Sequence, residues 1–397
     1  MNKKEKNIVI TSALRTAIGT FNGSLKSMQA HDLGSIVIKE NIKKSKLKSN
    51  EIDEVIMGQV LTSATGQNPA RQAAIKAKIP IEKTAYVINQ VCGSGLRAIV
   101  AGYQSILSND SNIVIAGGQE SMSNAPYILP KARSGQRLGH GQMMDHMFLD
   151  GLEDAFDKGI LMGVFAERTA KSYGFSREAQ DEFAIRSLTR AKKAIEDGSF
   201  NTEVTPVTYK NRQGEVIVDQ DEQPLTANFE KIPKLKPAFD KDGTVTAANS
   251  SSISDGAAAL VMMRESIAKK RDLKPIARVL SHSSFAHEPA WFTTAPVGAI
   301  RKLLKTVDWN INDVDLFEIN EAFAVVTMAA MKDLNLPAEK VNVHGGACAL
   351  GHPVGASGTR ILVTLISALQ KYNKTRGIAS LCIGGGEATA MAVEVLS

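Results

Sequence analysis

Ser94-Gly95-Leu96-Arg97 and Ser357-Gly358-Thr359-Arg360 each open an apolar helical pattern, the second running from Ile361 to Leu369. A likeness of four residues means little alone, so its surroundings carry the argument. Upstream of the first lies Ile52-Asp53-Glu54-Val55-Ile56 and upstream of the second Val314-Asp315-Leu316-Phe317-Glu318, each a polar start leading into a strand pattern. Asp53 precedes Ser94 by 41 positions and Asp315 precedes Ser357 by 42. Downstream, Ile113-Val114-Ile115-Ala116 with Gly117-Gly118-Gln119-Glu120 matches Leu381-Cys382-Ile383 with Gly384-Gly385-Gly386-Glu387. Each copy then ends in a buried-strand pattern, Ala257 to Met263 and Ala388 to Val395. Shared order and spacing point to an internal duplication. Strands alternating with helical patterns predict two similar α/β units, with mostly parallel sheets covered by helices on both faces.

Only the first copy carries a long insertion, roughly Ser121 to Asn249. Glycines and methionines crowd 135 to 147, and a helical stretch follows from Arg177 to Asp197 with Ala184, Leu188, Ala191 and Ile195 on one face. An insertion leaving and re-entering a core near strand ends is placed to cover a substrate. The expected domains are therefore residues 1–120 plus 250–272, an inserted unit 121–249, and 273–397.

Composition narrows the function classes. With 397 residues, more than one core is expected. Net charge +6 favours anionic partners, but the basic residues are scattered and not interleaved with the six tyrosines and two tryptophans. Nucleic-acid binding is therefore not expected. No apolar run reaches the 18 or so residues of a membrane helix. The charged Met1 to Asn7 segment lacks a signal peptide's character, and the C-terminal Glu394-Val395-Leu396-Ser397 is not a peroxisomal address. A cytoplasmic protein with three free thiols, Cys92, Cys348 and Cys382, is the expectation.

Four residues could do chemistry. Cys92, in Asn89-Gln90-Val91-Cys92-Gly93-Ser94-Gly95, sits between a strand pattern and a helix start. A glycine-flanked turn exposes the sulfur, and the helix N-terminus is expected to lower its pKa; a buried structural cysteine is the competing reading. His352 stands in a glycine-rich loop at the place corresponding to the Cys92 loop, so a pseudo-twofold would bring it beside Cys92 as its activator. Cys382 precedes Gly384-Gly385-Gly386, whose bare N–H groups can bind an oxyanion or whose glycines merely allow tight packing. Asn320 closes a strand and can orient a water or a carbonyl. His344, Cys348 and His352 are spaced by four like metal ligands, but the glycines and Pro353 oppose a helix there, and no metal is expected.

Taken together, Asn89 to Gly95, Asn320-Glu321-Ala322-Phe323, Gly351-His352-Pro353 and Cys382-Ile383-Gly384-Gly385-Gly386 resemble the four motifs of the thiolase family, in family order and across essentially the whole chain. The resemblance implies duplicated α/β/α units in a layered α/β/α/β/α core with an inserted loop domain. It implies an acyltransferase that condenses two acetyl-CoA molecules to acetoacetyl-CoA and coenzyme A, or reverses this, with the thioesters as substrates and no cofactor. Cys92 would carry the acyl group, His352 would activate it, and Cys382 would move the α-carbon proton. Asn320, through a water, and His352 would form one oxyanion hole; the N–H groups of Cys92 and Gly384 would form the other.

Coenzyme A and acyl contacts are implied for Ser251, Met162, Leu235, Phe239, Ala247 and Phe323. Three positions depart from the family pattern. Leu161 replaces a histidine, Leu225 an arginine at the phosphate end, and Phe292 lies in a segment that replaces a methionine-glycine pattern, so a longer acyl preference is the alternative expectation. The insertion resembles that of short-chain, biosynthetic-type members, which implies a homotetramer.

Overall fold

The computed structural model describes residues 7–212 and 214–396. The charged segment before Asn7 and the terminal Ser397, on which targeting expectations rested, lie outside the described residues. The principal strands are β1 (Ile8–Thr16), β2 (Glu54–Gly58), β3 (Thr84–Ile88), β4 (Ile113–Ser121), β5 (Ser254–Arg264), β6 (Ala277–Ala286), β7 (Leu316–Ile319), β8 (Arg376–Ile383) and β9 (Glu387–Val395). The principal helices are α1 (Ala30–Lys44), α2 (Pro69–Lys76), α3 (Ser94–Ser108), α4 (Met162–Tyr173), α5 (Arg177–Glu196), α6 (Ala295–Val307), α7 (Ala324–Leu334) and α8 (Val354–Lys371).

The nine strands follow one path, β7-β8-β9-β6-β1-β5-β4-β2-β3. Pairing is parallel for β2 with β3, β2 with β4 and β7 with β8. It is antiparallel for β4–β5, β5–β1, β1–β6, β6–β9 and β9–β8. The expected mostly parallel sheets are thus corrected to mixed ones. In the second half β9 follows β8 through a tight glycine turn, and a strand that returns directly must run antiparallel.

Side-chain alternation builds the layers. In β4, Ile113 and Ile115 face a core with Leu33, Val37 and Ile38 of α1, while Val114 and Ala116 face a core shared with Leu96 and Ile99 of α3 and Ile361 and Leu365 of α8. The second half repeats this: Leu381 and Met391 face α3 and α8, whereas Phe317, Ile319 and Ile378 pack on Ile300 and Leu303 of α6. Five layers result, α/β/α/β/α, with α3 and α8 in the middle. Both flanks of α8 are covered, and Val354 to Leu369 are buried without interruption.

Hydrogen bonds reproduce the duplication. The Asp53 carboxylate accepts the N–H groups of Asn112 and Ile113, and the Asp315 carboxylate accepts those of Thr375 and Arg376. Glu54 stands opposite Val114 as Leu316 stands opposite Gly377. This register corrects the third sequence match, which was shifted along the strand. Cys382 is the counterpart of Gln119, not of Ile115, and Gly384 is the counterpart of Ser121. Short glycine runs align with one another wherever they occur, whereas the aspartates fix where each strand begins.

The α3–α8 crossing shows the same symmetry at atomic distance. A Cβ added to Gly95 would meet Thr359 N at 2.9 Å, and one added to its counterpart Gly358 would meet Leu96 N at 2.4 Å. In the insertion, Ser176 caps α5 by accepting from Ala179 N; Ala184, Leu188 and Ala191 are buried and Ile195 is half-buried, as the apolar face predicts. Among the described residues no helix is long and apolar enough to cross a membrane.

Candidate active site

The loop between β3 and α3 is wound tightly. Val91 has φ +45°, a left-handed conformation that its branched Cβ opposes. It is held there from both sides: Asn89 Oδ1 accepts from Val91 N at 2.9 Å, and Ser94 Oγ donates to Val91 O at 2.6 Å. Gly93 admits the neighbouring loop, since a Cβ there would meet Ile383 Cδ1 at 2.4 Å. Cys92 is thereby turned toward a cavity of about 370 Å³, together with Val91, His352 and Gly384.

The expectation of a lowered Cys92 pKa is overturned. Burial pushes this thiol up to about 11, and the N–H groups of Gly384 and Cys92 itself offset that only in part. Cys92 precedes Gly93, the N-cap of α3, so it stands outside the first turn whose dipole would have favoured thiolate.

His352 follows Gly351, at φ +106°, and its backbone N–H donates to Ser252 O at 3.1 Å. The Ser357 hydroxyl donates to Pro353 O at 3.0 Å, so at His352 it must accept, and the 2.5 Å contact carries the proton on Nδ1. Nε2 is left with a free lone pair and, among the described residues, no partner. Burial, then the charge of Arg360, lower the His352 pKa to about 3. The resting pair is therefore a neutral thiol beside a neutral imidazole.

Cys382 lies at the end of β8 with no exposure, and burial, then the nearby Cys92, push its thiol well above the ordinary value. Beyond it Gly384 turns into the cavity, while Gly385 (φ +91°) and Gly386 (φ +90°) make the reversal into β9. Asn320, just past β7, is fully buried; its Oδ1 accepts from Arg360 Nη2 at 3.4 Å and its Nδ2 has no partner among the described residues.

Ser251, Met162, Phe239, Ala247 and Phe323 line the same cavity, and the inserted unit adds Phe148, Leu152 and Leu161. Phe292, from the second half, also lines it. Leu235 does not: it borders an adjoining cavity of about 240 Å³ that shares only Ala247 with the first. Leu225 is 55% exposed.

The three residues with metal-like spacing are engaged separately. His344 packs edge-on to Phe200, Cys348 Sγ donates to Glu321 O, and His352 bonds Ser357. Among the described residues no group of three metal-ligating side chains is gathered.

Sequence reasoning missed Ser357, which sets the His352 tautomer, and Glu120, a buried carboxylate accepting from Val60, Leu61 and Gly355. It also missed the buried ion pair of Arg360 with Glu318. Ser357 and Arg360 stood in the duplicated motif and were read only as markers of repetition.

The chain matches the thiolase N-terminal domain over residues 8–266 and the thiolase C-terminal domain over residues 273–395. It is 50% identical to the acetyl-CoA acetyltransferase of Escherichia coli over 99% of this chain and 100% of that protein. It is 48% identical to the cytosolic acetyl-CoA acetyltransferase of Mus musculus, again over 99% of this chain and 100% of that protein. The crystal structure of the Bacillus anthracis acetyl-CoA acetyltransferase superposes with TM-score 0.96 at 45% identity, covering 98% of this chain and 99% of that one. A thiolase from Ascaris suum in complex with coenzyme A superposes at 0.93 with 44% identity, covering 98% and 100%. With the geometry of the Cys92 and His352 loops, these likenesses establish that the chain belongs to the thiolase family and is an acyltransferase.

Proposed function

We propose that the protein is an acetyl-CoA C-acetyltransferase, joining two acetyl-CoA molecules into acetoacetyl-CoA and coenzyme A and catalysing the reverse thiolysis. The observation that carries this is the pairing of the Cys92 thiol, under two N–H groups, with the unpartnered Nε2 of His352 in one apolar cavity. The names of full-length relatives support the acetyl substrate.

Cys92 attacks the thioester carbonyl while His352 Nε2 takes its proton, and the N–H groups of Cys92 and Gly384 hold the oxyanion. Coenzyme A leaves with that proton. Acylation also removes the charge that a Cys92 thiolate would impose on Cys382. Cys382 then takes an α-proton from the second acetyl-CoA, and Asn320, through a water, donates to the enolate oxygen. The enolate carbon attacks the Cys92 thioester, acetoacetyl-CoA departs, and the proton on Cys382 passes to Cys92. The reaction balances with the two thioesters alone, so no resident cofactor is required. Ser251, Met162, Phe239, Ala247 and Phe323 line the cleft for the pantetheine arm and acyl group, and Leu235 borders the space beyond Ala247.

Release of free coenzyme A together with acetoacetyl-CoA from acetyl-CoA alone tests the reading, alongside an acetyl adduct on Cys92 in a peptide map. An adduct confined to Cys348 or Cys382, or coenzyme A released with acetate only, overturns it. Thiolysis of four- and six-carbon substrates tests the acetyl preference against the apolar Leu161 and Phe292; equal or better use of six carbons would replace it. We also assign a cytoplasmic homotetramer by family likeness, tested by whether the native mass is four times 42.6 kDa.

A further inference from the structure

The duplication allows one half to serve as a control for the other. By strand register, Glu318 of β7 is the counterpart of Ile56 of β2, and Arg360 of α8 is the counterpart of Arg97 of α3. In the first half, Ile56 is buried in the central core and Arg97 is part-exposed. In the second half, Glu318 and Arg360 are each only 2% exposed and meet at 2.8 Å, Nη1 to Oε1. The same architecture is therefore built once with an aliphatic residue and once with a buried ion pair.

That pair is a poor choice for stability. Burial pushes the Glu318 carboxyl up to about 8 even with Arg360 against it, and Glu321 and Glu203 add repulsion. Desolvation of this kind commonly cancels the attraction, and aliphatic replacements are often neutral or stabilising. The first half has an aliphatic residue in place of the acid and leaves its arginine part-exposed.

One feature separates the two places. The counterpart of Asn320 is Gly58, so the first half has no side chain at that position. Arg360 reaches it with its second nitrogen, Nη2 to Asn320 Oδ1, at 3.4 Å. A guanidinium fixed on one side by Glu318 presents its other nitrogen in a set direction. It holds the carboxamide with oxygen toward α8 and leaves the Nδ2 hydrogens free. Without a cation there, nothing on that side distinguishes the amide from its flipped form, in which an oxygen would face a developing negative charge.

We propose that the buried Arg360–Glu318 pair is a positioning device for the reaction, orienting the Asn320 carboxamide so that Nδ2 serves the enolate oxyanion. This rests on the role given above to Asn320. The pair itself touches no substrate. Arg360 also repels a proton from His352, which adds a second effect on the same site.

The test is a double variant that removes both charges, Glu318→Ile as in the first half together with Arg360→Met, made in the full-length enzyme beside Asn320→Ala. Three quantities are read: melting temperature, acetylation of Cys92 by intact mass, and incorporation of deuterium from heavy water into acetyl-CoA. The double variant should melt no lower than the parent and acetylate Cys92 normally at neutral pH, because the other oxyanion donors are the N–H groups of Cys92 and Gly384. Deuterium exchange should slow by roughly tenfold or more, as expected when an oxyanion donor is misaligned. The acid limb of its acetylation profile should move to higher pH, since His352 loses a repelling cation; a merely structural pair would not move that limb. Parent-like exchange in the double variant, with slow exchange in Asn320→Ala, would overturn the positioning role alone. Parent-like exchange in Asn320→Ala would instead remove the reading of Asn320 on which it rests. Loss of folding in the double variant would also overturn the proposal, since the pair would then serve the fold.

Discussion

Ser357 shows how much of the site's chemistry hangs on one hydroxyl. It donates to Pro353 O, so it accepts at His352 Nδ1, and this leaves the Nε2 lone pair free. Ser357→Ala should lower kcat by about tenfold or more, with little effect on KM for acetyl-CoA, because the imidazole loses the bond that fixes its tautomer. Steady-state kinetics check this, and a change confined to KM would refute it. Cys92 carries a second expectation. Its thiol is raised to about 11, so thiolate accumulates only as pH climbs toward that value. Alkylation of the free enzyme by iodoacetamide should keep rising past about pH 9, without the plateau near neutrality of an activated thiolate.

Cys382 and Cys92 come from different halves of the duplication, and their tasks should separate. Cys382→Ser should still take an acetyl group onto Cys92 but should exchange the α-protons of acetyl-CoA about a hundredfold more slowly. Cys92→Ser should lose the adduct. Equal loss of labelling in both variants, with normal exchange in Cys382→Ser, would show that the tasks are not divided.

Among the elements, the α3–α8 crossing sets the site's geometry, because the loops before both helices carry Cys92 and His352. Gly95 and Gly358 let the two backbones touch. A methyl group at Gly358 would sit 2.4 Å from Leu96 N, a contact with backbone that no side-chain rotation relieves. Gly358→Ala should cost about 1–3 kcal/mol or more, and activity should fall with it as the helices are forced apart. Chemical denaturation provides the measurement. The element boundaries were legible in the sequence: the apolar face of α5 and the paired strand starts at Asp53 and Asp315 lie where expected. The third repeat was misaligned, because a run of glycines carries no register of its own, while an aspartate accepting two backbone N–H groups does.

For the molecule as a whole, stability should depend on pH through buried histidine. His344 packs edge-on to Phe200 and tilted on Tyr372, and neither ring nitrogen has a partner among the described residues. Burial, then Lys371, lower its pKa to about 4. A histidine whose folded pKa lies below its unfolded value binds protons more readily when unfolded. Stability is therefore fully present above about pH 6.5 and declines as pH falls toward about 4. His344→Phe should melt ever higher than the parent across that window, with a gap of order 1–3 kcal/mol at its acid end. A gap independent of pH would show that His344 does not titrate there.

Sequence alone determined the duplication and the layered α/β class, and it singled out Cys92, His352, Cys382 and Asn320 as the candidates, because repetition and glycine-flanked reactive residues are local patterns. It also placed the insertion that walls the cavity with Met162 and Phe239. Tertiary structure alone decided the direction in which the pKa values of the reactive groups are shifted. Whether Cys92 rests as thiol or thiolate depends on how completely protein surrounds the sulfur, which spacing along the chain does not encode. The mixed sheet, the separation of Leu235 from the main cavity, and the grip of Arg360 on Asn320 likewise depend on distances between segments remote in sequence. Such distances are set by packing of the whole core, whereas motifs record only which side chains are available to it.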